Sequence, residues 1–195
     1  NAVLIPIGST EQHALHLPVS VDSRCATYIA EQAAIKVTEE HHISVIVAPT
    51  ICYTEVVTFE SFPGTIGISL DTEIRLIGDI ARSFIKQRFK NIIFVNGHMS
   101  NVIPINTALR QVLVDYPDAG LYAVNWWDLG FEVIPKIRKT ATGLHAEELE
   151  TSVSLVIQPE NVHLDKVTKE FPAFSLSDKW VIPDFYGPRR VFYHS

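Results

Sequence analysis

The chain has 195 residues, 47% hydrophobic and 19% charged, which excludes a disordered or collagen-like polymer and suits one domain with a sizeable core. Its formal charge of -6 and pI near 5.7, without a Lys/Arg stripe, argue against nucleic acid as a partner. Cys25 and Cys52 are too few for a disulfide framework and no apolar run reaches the ~18 residues that cross a bilayer, so a cytoplasmic, non-membrane protein is expected.

Taken in chain order, the first element is an apolar run over 3–7 that reads as a strand buried on both faces. A strand so close to Asn1 predicts a sequence that starts inside a domain, so a single domain over 1–195, continued beyond both ends, is expected. Ala26, Ile29, Ala30, Ala33, Ala34 and Val37 recur at helical spacing and share one face. A second buried strand follows over 43–48. Residues 49–68, broken by Ser61-Phe62-Pro63-Gly64-Thr65, predict a long loop with at most a short strand. Asp71 is the expected cap of a second helix that buries Ile74, Ile77, Ala81, Phe84 and Ile85. Buried strands over 92–95 and 121–124 flank a third helix after Asn101, with Pro104 in its first turn and Ile105, Ala108, Leu109, Val112 and Leu113 inward. After Gln158, Pro159, Pro172, Pro183 and Pro188 argue against a long helix. Strands alternating with helices predict a three-layer α/β/α sandwich with a mainly parallel central sheet.

In such sheets functional groups gather beyond the carboxyl ends of the strands. Glu11 and His13 follow the first strand, two residues apart, and in an extended segment point the same way. Asp22 stands at the next helix start, as a ligand or merely as a cap. His98 follows the third strand behind an Asn96-Gly97 turn, as a ligand or a core histidine. These carboxylates and imidazoles suit zinc first, with manganese or iron(II) as alternatives, and a carboxylate such as Asp22 can bridge two cations that share a water. His145, Glu147, Glu148 and Glu150 fall on one expected helix, with Glu147 and Glu150 on the same face, as a site or as a solvated first turn. His16, His41, His42, His163 and His194 lack such context and read as surface residues or residues behind the site. Trp126 and Trp127 follow the fourth strand, as a substrate wall or as core or subunit-contact residues.

At these positions the chain resembles the creatininase (creatinine amidohydrolase) family, in Gly8-Ser9-Thr10-Glu11-Gln12-His13, His16-Leu17-Pro18, Asp22, Phe62-Pro63-Gly64-Thr65, Asn96-Gly97-His98 with Asn101, and His145-Ala146 with Glu150-Thr151-Ser152. The resemblance implies an amidohydrolase that cleaves a non-peptide carbon–nitrogen amide bond, of a cyclic amide or a formamide, in a small molecule through a metal-activated water, with keto-inositol ring opening on the same centre as the alternative. It also implies a dinuclear metal centre with two divalent ions per subunit and a homohexamer. It implies Glu11 and His98 as ligands of one metal, His13 of the other, Asp22 as the bridge, Glu150 as an acid at the metals, and His145 as the catalytic group that steadies or protonates the reacting atoms. Creatininases carry a Glu two positions after the metal-binding histidine, where this chain has Ser100. Glu147 replaces a common Gly, and residues 52–60 lack the usual Gly and His. Creatinine itself is therefore not the expected substrate, and Ser100, Trp126 and Trp127 are candidate substrate contacts. Other branches of the family hydrolyse a formamide, trim a redox-cofactor precursor peptide or open a keto-inositol ring. A homologue that binds metal or ligand without turnover is the alternative from another class.

Overall fold

A computed structural model describes residues 2–140 and 145–168. Its sheet has four parallel strands in the order β2-β1-β3-β4: β1 Ala2–Ile7, β2 Val45–Val47, β3 Asn91–Asn96 and β4 Gly120–Asn125. The expected α/β/α layering follows from the alternating side chains of the inner strands. Val3, Ile5, Ile7, Ile92 and Phe94 face one way and pack with Ile77 and Ala81 of α2 (Leu70–Lys86) and Ile105, Ala108, Leu109 and Val112 of α3 (Val102–Asp115). Leu4 and Val95 face the other way, onto Ala30 and Ala34 of α1 (Val21–His41).

Several boundaries differ from the sequence reading. All four strands were expected to be buried on both faces, but β2 and β4 are sheet edges among the described residues, with Ile46 52% and Tyr122 50% exposed. A continuous apolar run does not distinguish an inner strand from an edge one. The cap of α2 is Ser69, whose hydroxyl accepts the Thr72 N–H, and Asp71 instead lies in the first turn near the positive end of the helix dipole. Ala33 and Leu113 are exposed rather than inward, because the stripes of α1 and α3 are narrower than expected. Residues 49–68 form the expected loop, and its strand content is one bridge, Ile51 to Ile7. Short 3₁₀ turns at Pro159–Asn161 and Leu164–Lys166 follow α6 (Glu148–Ile157), while Pro172, Pro183, Pro188 and His194 lie outside the described residues. No helix among the described residues is long and apolar enough to cross a membrane.

The chain runs from β1 to β2 on one side and reaches β3 on the other, so the order reverses between β1 and β3, the place where open α/β sheets bind ligands. The turns leaving these two strands also press against the start of α1. A Cβ on Gly97 would lie 2.1 Å from the Asp22 carbonyl oxygen, and one on Gly8 would lie 2.4 Å from the Ser23 nitrogen, so only glycine fits at either place. Gly97→Ala is expected to destabilise the chain by about 3 kcal/mol or more, the upper range for overpacking. In a thermal melt that is a Tm drop of roughly 6–12 °C; an unchanged Tm would contradict this packing.

Candidate metal centre

β1 ends at Ile7, and the segment 8–13 crosses the carboxyl edge of the sheet as irregular chain. The long loop holds it there: Thr10 donates its hydroxyl to the Cys52 carbonyl, the Gln12 N–H donates to Thr65 Oγ1 at 3.0 Å, and the Ile66 N–H donates to the Thr10 carbonyl. Glu11 and His13 are both fully buried as a result. Asp22, in the first turn of α1, is equally buried; α1 takes Ser20 as its cap residue, so Asp22 is not a cap. β3 delivers His98, whose N–H donates to Asn96 Oδ1 across the Gly97 turn.

The two oxygens of Asp22 face different partners. Oδ1 lies 3.1 Å from His13 Nε2, and Oδ2 lies 3.0 Å from His98 Nδ1 while accepting the Ser9 hydroxyl at 2.6 Å. Glu11 Oε1 is 3.3 Å from His98 Nδ1, and Glu150 Oε2 is 3.7 Å from His13 Nε2. Glu11, Asp22 and His98 thus form one group, and His13, Asp22 and Glu150 another, with the donor atoms of each group within 4.8 Å of one another. Asp22 belongs to both. A third group, Glu11, His13 and His145, overlaps them.

Ring tautomers follow from the carbonyls behind them. His13 Nδ1 lies 3.0 Å from the Glu11 carbonyl oxygen, which can only accept, so Nδ1 carries a proton and Nε2 is the nitrogen turned toward the carboxylates, free to ligate once its own proton leaves. This is how ligating histidines are held. His145 Nε2 likewise donates to the Gln12 carbonyl at 2.6 Å, leaving Nδ1 as the lone-pair nitrogen, 3.4 Å from Glu11 Oε1. The His145 ring stacks on Phe59, with centroids 4.1 Å apart, and leans on His13 at 4.2 Å.

Without a cation this packing is electrostatically costly. Burial alone would lower the His13 and His98 pKa values, but Asp22 with Glu150 holds His13, and Glu11 with Asp22 holds His98, well above the usual imidazole value. Burial would raise Asp22, and the two imidazoles instead hold it well below the usual carboxylate range. Glu11 Oε2 remains buried with no hydrogen-bond partner among the described residues. Protons on His13 and His98 therefore stand where divalent cations would satisfy the same oxygens and nitrogens, and the mixed O,N donor set fits such cations.

His145 and Glu147 were expected on one helix with the acids, but α6 starts at Glu148. Ala146 adopts a left-handed φ of 50° that breaks the chain out of helix, and Glu147 caps α6 by accepting the Leu149 and Glu150 N–H groups. Glu147 also takes Arg138 Nη2 at 2.7 Å, so it no longer shares a face with Glu150. Burial pushes the Glu147 carboxyl up, against those amides and Arg138. Glu148 accepts the Lys139 and Thr140 N–H groups at the surface. Glu150 reaches back to the Ala146 N–H, which fixes it beside His13. Of the two places expected for these histidines, His16 takes the one behind the site, buried with Nε2 3.0 Å from Thr151 Oγ1, while His41, His42 and His163 are exposed. Ser100 is half-buried in the 3₁₀ turn Met99–Asn101 after His98, and Trp126 and Trp127 open α4 (Trp126–Leu129) beyond the carboxyl end of β4, packed edge to face. Sequence reasoning missed Phe59, Thr65 as an anchor, and Glu73. The Pro-Gly-Thr turn signals Thr65, whereas nothing local distinguishes the other two.

The chain matches the model of the creatininase family, described as creatinine amidohydrolase, over residues 1–191. It is 33% identical over 165 residues to the mycofactocin precursor peptide peptidase of Mycolicibacterium smegmatis, covering 85% of this chain and 61% of the relative. It is 29% identical over 170 residues to the 3-dehydro-scyllo-inosose hydrolase of Thermotoga maritima, covering 83% and 51%. A crystal structure described as a candidate creatinine amidohydrolase from Bacteroides fragilis superposes with a TM-score of 0.82 at 27% identity, covering 97% of this chain and 74% of that one. The chain spans about three fifths of the length of the mycobacterial peptidases it matches.

Proposed function

The chain belongs to the creatininase family, and from that premise we propose that it is a metal-dependent hydrolase of an amide carbon–nitrogen bond. The observation that carries this reading is the double engagement of Asp22, one carboxylate oxygen toward His13 and Glu150, the other toward Glu11 and His98. Glu11, Asp22 and His98 would hold one divalent cation, and His13, Asp22 and Glu150 a second, zinc first and manganese or iron(II) as alternatives. Two such cations, when bound there, would supply a water of lowered pKa and polarise the scissile carbonyl.

The chain's own residues supply the proton transfer. His145 Nε2–H is committed to the Gln12 carbonyl, so Nδ1 is the atom that takes a proton from the attacking water and passes it to the leaving nitrogen. The acyl carbon gains the hydroxyl, the C–N bond breaks, and the nitrogen departs as an amine. Burial lowers the His145 pKa, which keeps Nδ1 free to accept that proton. Stacking on Phe59 fixes the ring plane and shields one face of it from water. Ser100, Trp126 and Trp127 are proposed substrate contacts at the same sheet edge, with a small molecule as substrate, in a cytoplasmic homohexamer.

Short peptides join the formamides and cyclic amides as candidate substrates, since the mycobacterial relatives are named peptidases. Ring opening of a keto-inositol is the second reading, favoured by the Thermotoga maritima relative. Elemental analysis of the purified protein, followed by assays on all four substrate classes with added zinc or manganese, tests both. The account expects two metals per chain and metal-dependent amine release. Turnover of the inositol alone would replace it with the second reading. Two bound metals with no turnover would leave a binding homologue.

A proton count gives an independent check. Because His13 and His98 hold protons well above their usual pKa in the metal-free protein, ligation at neutral pH must displace them, and zinc affinity must rise with pH. Calorimetry in buffers of different ionisation enthalpy should read about two protons released, one from each imidazole; none released would contradict this ligand assignment.

A further inference from the structure

Two of the three histidines at the centre have a carbonyl behind them that fixes the tautomer: Glu11 for His13 and Gln12 for His145. His98 has none. Its Nδ1 faces Asp22 and Glu11, while Nε2 is buried with no hydrogen-bond partner among the described residues. An imidazole that ligates through Nδ1 must carry its proton on Nε2, and a buried N–H without an acceptor is costly.

One buried carboxylate has the complementary need, an acceptor oxygen without a donor among the described residues. Glu73, in the first turn of α2, is fully buried, and its Oε2 accepts the Glu55 N–H at 2.8 Å while Oε1 has no partner. The hydrogen bonds that bring it toward His98 are explicit. Asn101, three residues after His98, donates its amide to the Gly8 carbonyl at 3.1 Å; Thr54 donates its hydroxyl to the same oxygen at 2.8 Å; and Glu55, the next residue, holds Glu73. Burial pushes the Glu73 carboxyl up to about 7, against the Glu55 N–H first and the charge of His98 second. Asn101 Oδ1 is likewise buried with no partner among the described residues. One water among these groups would accept from His98 Nε2–H and donate to Glu73 Oε1 and Asn101 Oδ1, a full complement for a buried water.

We propose that Glu73 is the positioning carboxylate of His98, accepting its Nε2–H through one buried water and so presenting Nδ1 to the cation shared with Glu11 and Asp22. This rests on the metal-centre reading above and assigns a residue from outside the motifs, supplied by α2, to that centre. Glu73 does not touch the reacting atoms. Its effect is on one cation, by the orientation and basicity of one ring, and outer-shell partners of this kind are worth about 10- to 100-fold in metal affinity.

The test uses the full chain loaded with zinc, with chelator competition to read two separate affinities and long-range proton–nitrogen NMR to read the imidazole tautomers. In Glu73→Leu one zinc should weaken about 10- to 100-fold while the other keeps its affinity, and the His98 Nε2–H signal should lose its protection from exchange. Glu73→Gln, whose amide oxygen still accepts, should recover part of that loss, which general damage to the fold would not produce. Unchanged affinities at both sites in Glu73→Leu would overturn the assignment. So would a zinc-loaded wild-type protein in which His98 carries its proton on Nδ1, a measurement that needs no variant. Wild-type protein that binds no zinc would remove the metal reading itself, and this inference with it.

Discussion

Asp22→Ala should strip both cations from the protein and lower turnover by about 10³-fold or more, the rate equivalent of losing several kcal/mol of transition-state stabilisation. In the two-cation assignment Glu11, His13, His98 and Glu150 each serve one cation, whereas Asp22 serves both, with oxygens 3.1 Å from His13 and 3.0 Å from His98. Removing it opens both groups at once. It also leaves two buried imidazoles without the carboxylate that holds their protons, so the pKa of each should fall toward the value that burial dictates. Asp22→Asn is the stricter variant, because it keeps the volume and the Ser9 contact but offers one oxygen instead of two. It should retain at most one metal by elemental analysis. Two metals and a normal rate in either variant would end the bridge assignment.

His145→Ala should behave in the opposite way, keeping both metals while kcat falls about 10²- to 10⁴-fold, the range for a positioned acid–base group. His145 lies at the rim of the cluster, with its Nε2–H on the Gln12 carbonyl and its ring against Phe59. Alanine leaves the Gln12 carbonyl without its donor, but the segment remains tied to Thr65 and Cys52, so the ligands should stay in place. The loss should appear in kcat more than in KM, and the acid limb of the pH–rate profile should disappear with the base that titrates there. Loss of one metal together with activity would make His145 a ligand, an outcome that its place in the Glu11–His13–His145 group makes chemically reasonable.

What the sequence could convey follows from the range of the forces involved. The four strands were legible because each is a short β-branched run between helical periods, and the motif residues because they stand at the carboxyl ends of those strands. Ser69 and Asp71 are both good caps, two residues apart, and only the geometry of the incoming loop decides between them. Residues 145–150 misled because a left-handed alanine has no sequence signature: Ala146 interrupts what reads as a continuous acidic helix and turns Glu147 into its cap. The edge positions of β2 and β4 depend on the strand order, a property of the whole chain. Glu73 looks like an ordinary acidic first-turn residue that complements a helix dipole, and Phe59 like one more loop aromatic. Each reaches the centre only because the long loop is folded back over the segment 8–13 by the bonds from Thr10, Gln12 and Thr54.

Anomalous diffraction from crystals of this chain soaked in zinc tests the central claim most directly. Two peaks per chain are predicted, one among Glu11, Asp22 and His98 and one among His13, Asp22 and Glu150, with an Asp22 oxygen on each. A single peak, or peaks away from Asp22, would contradict the account.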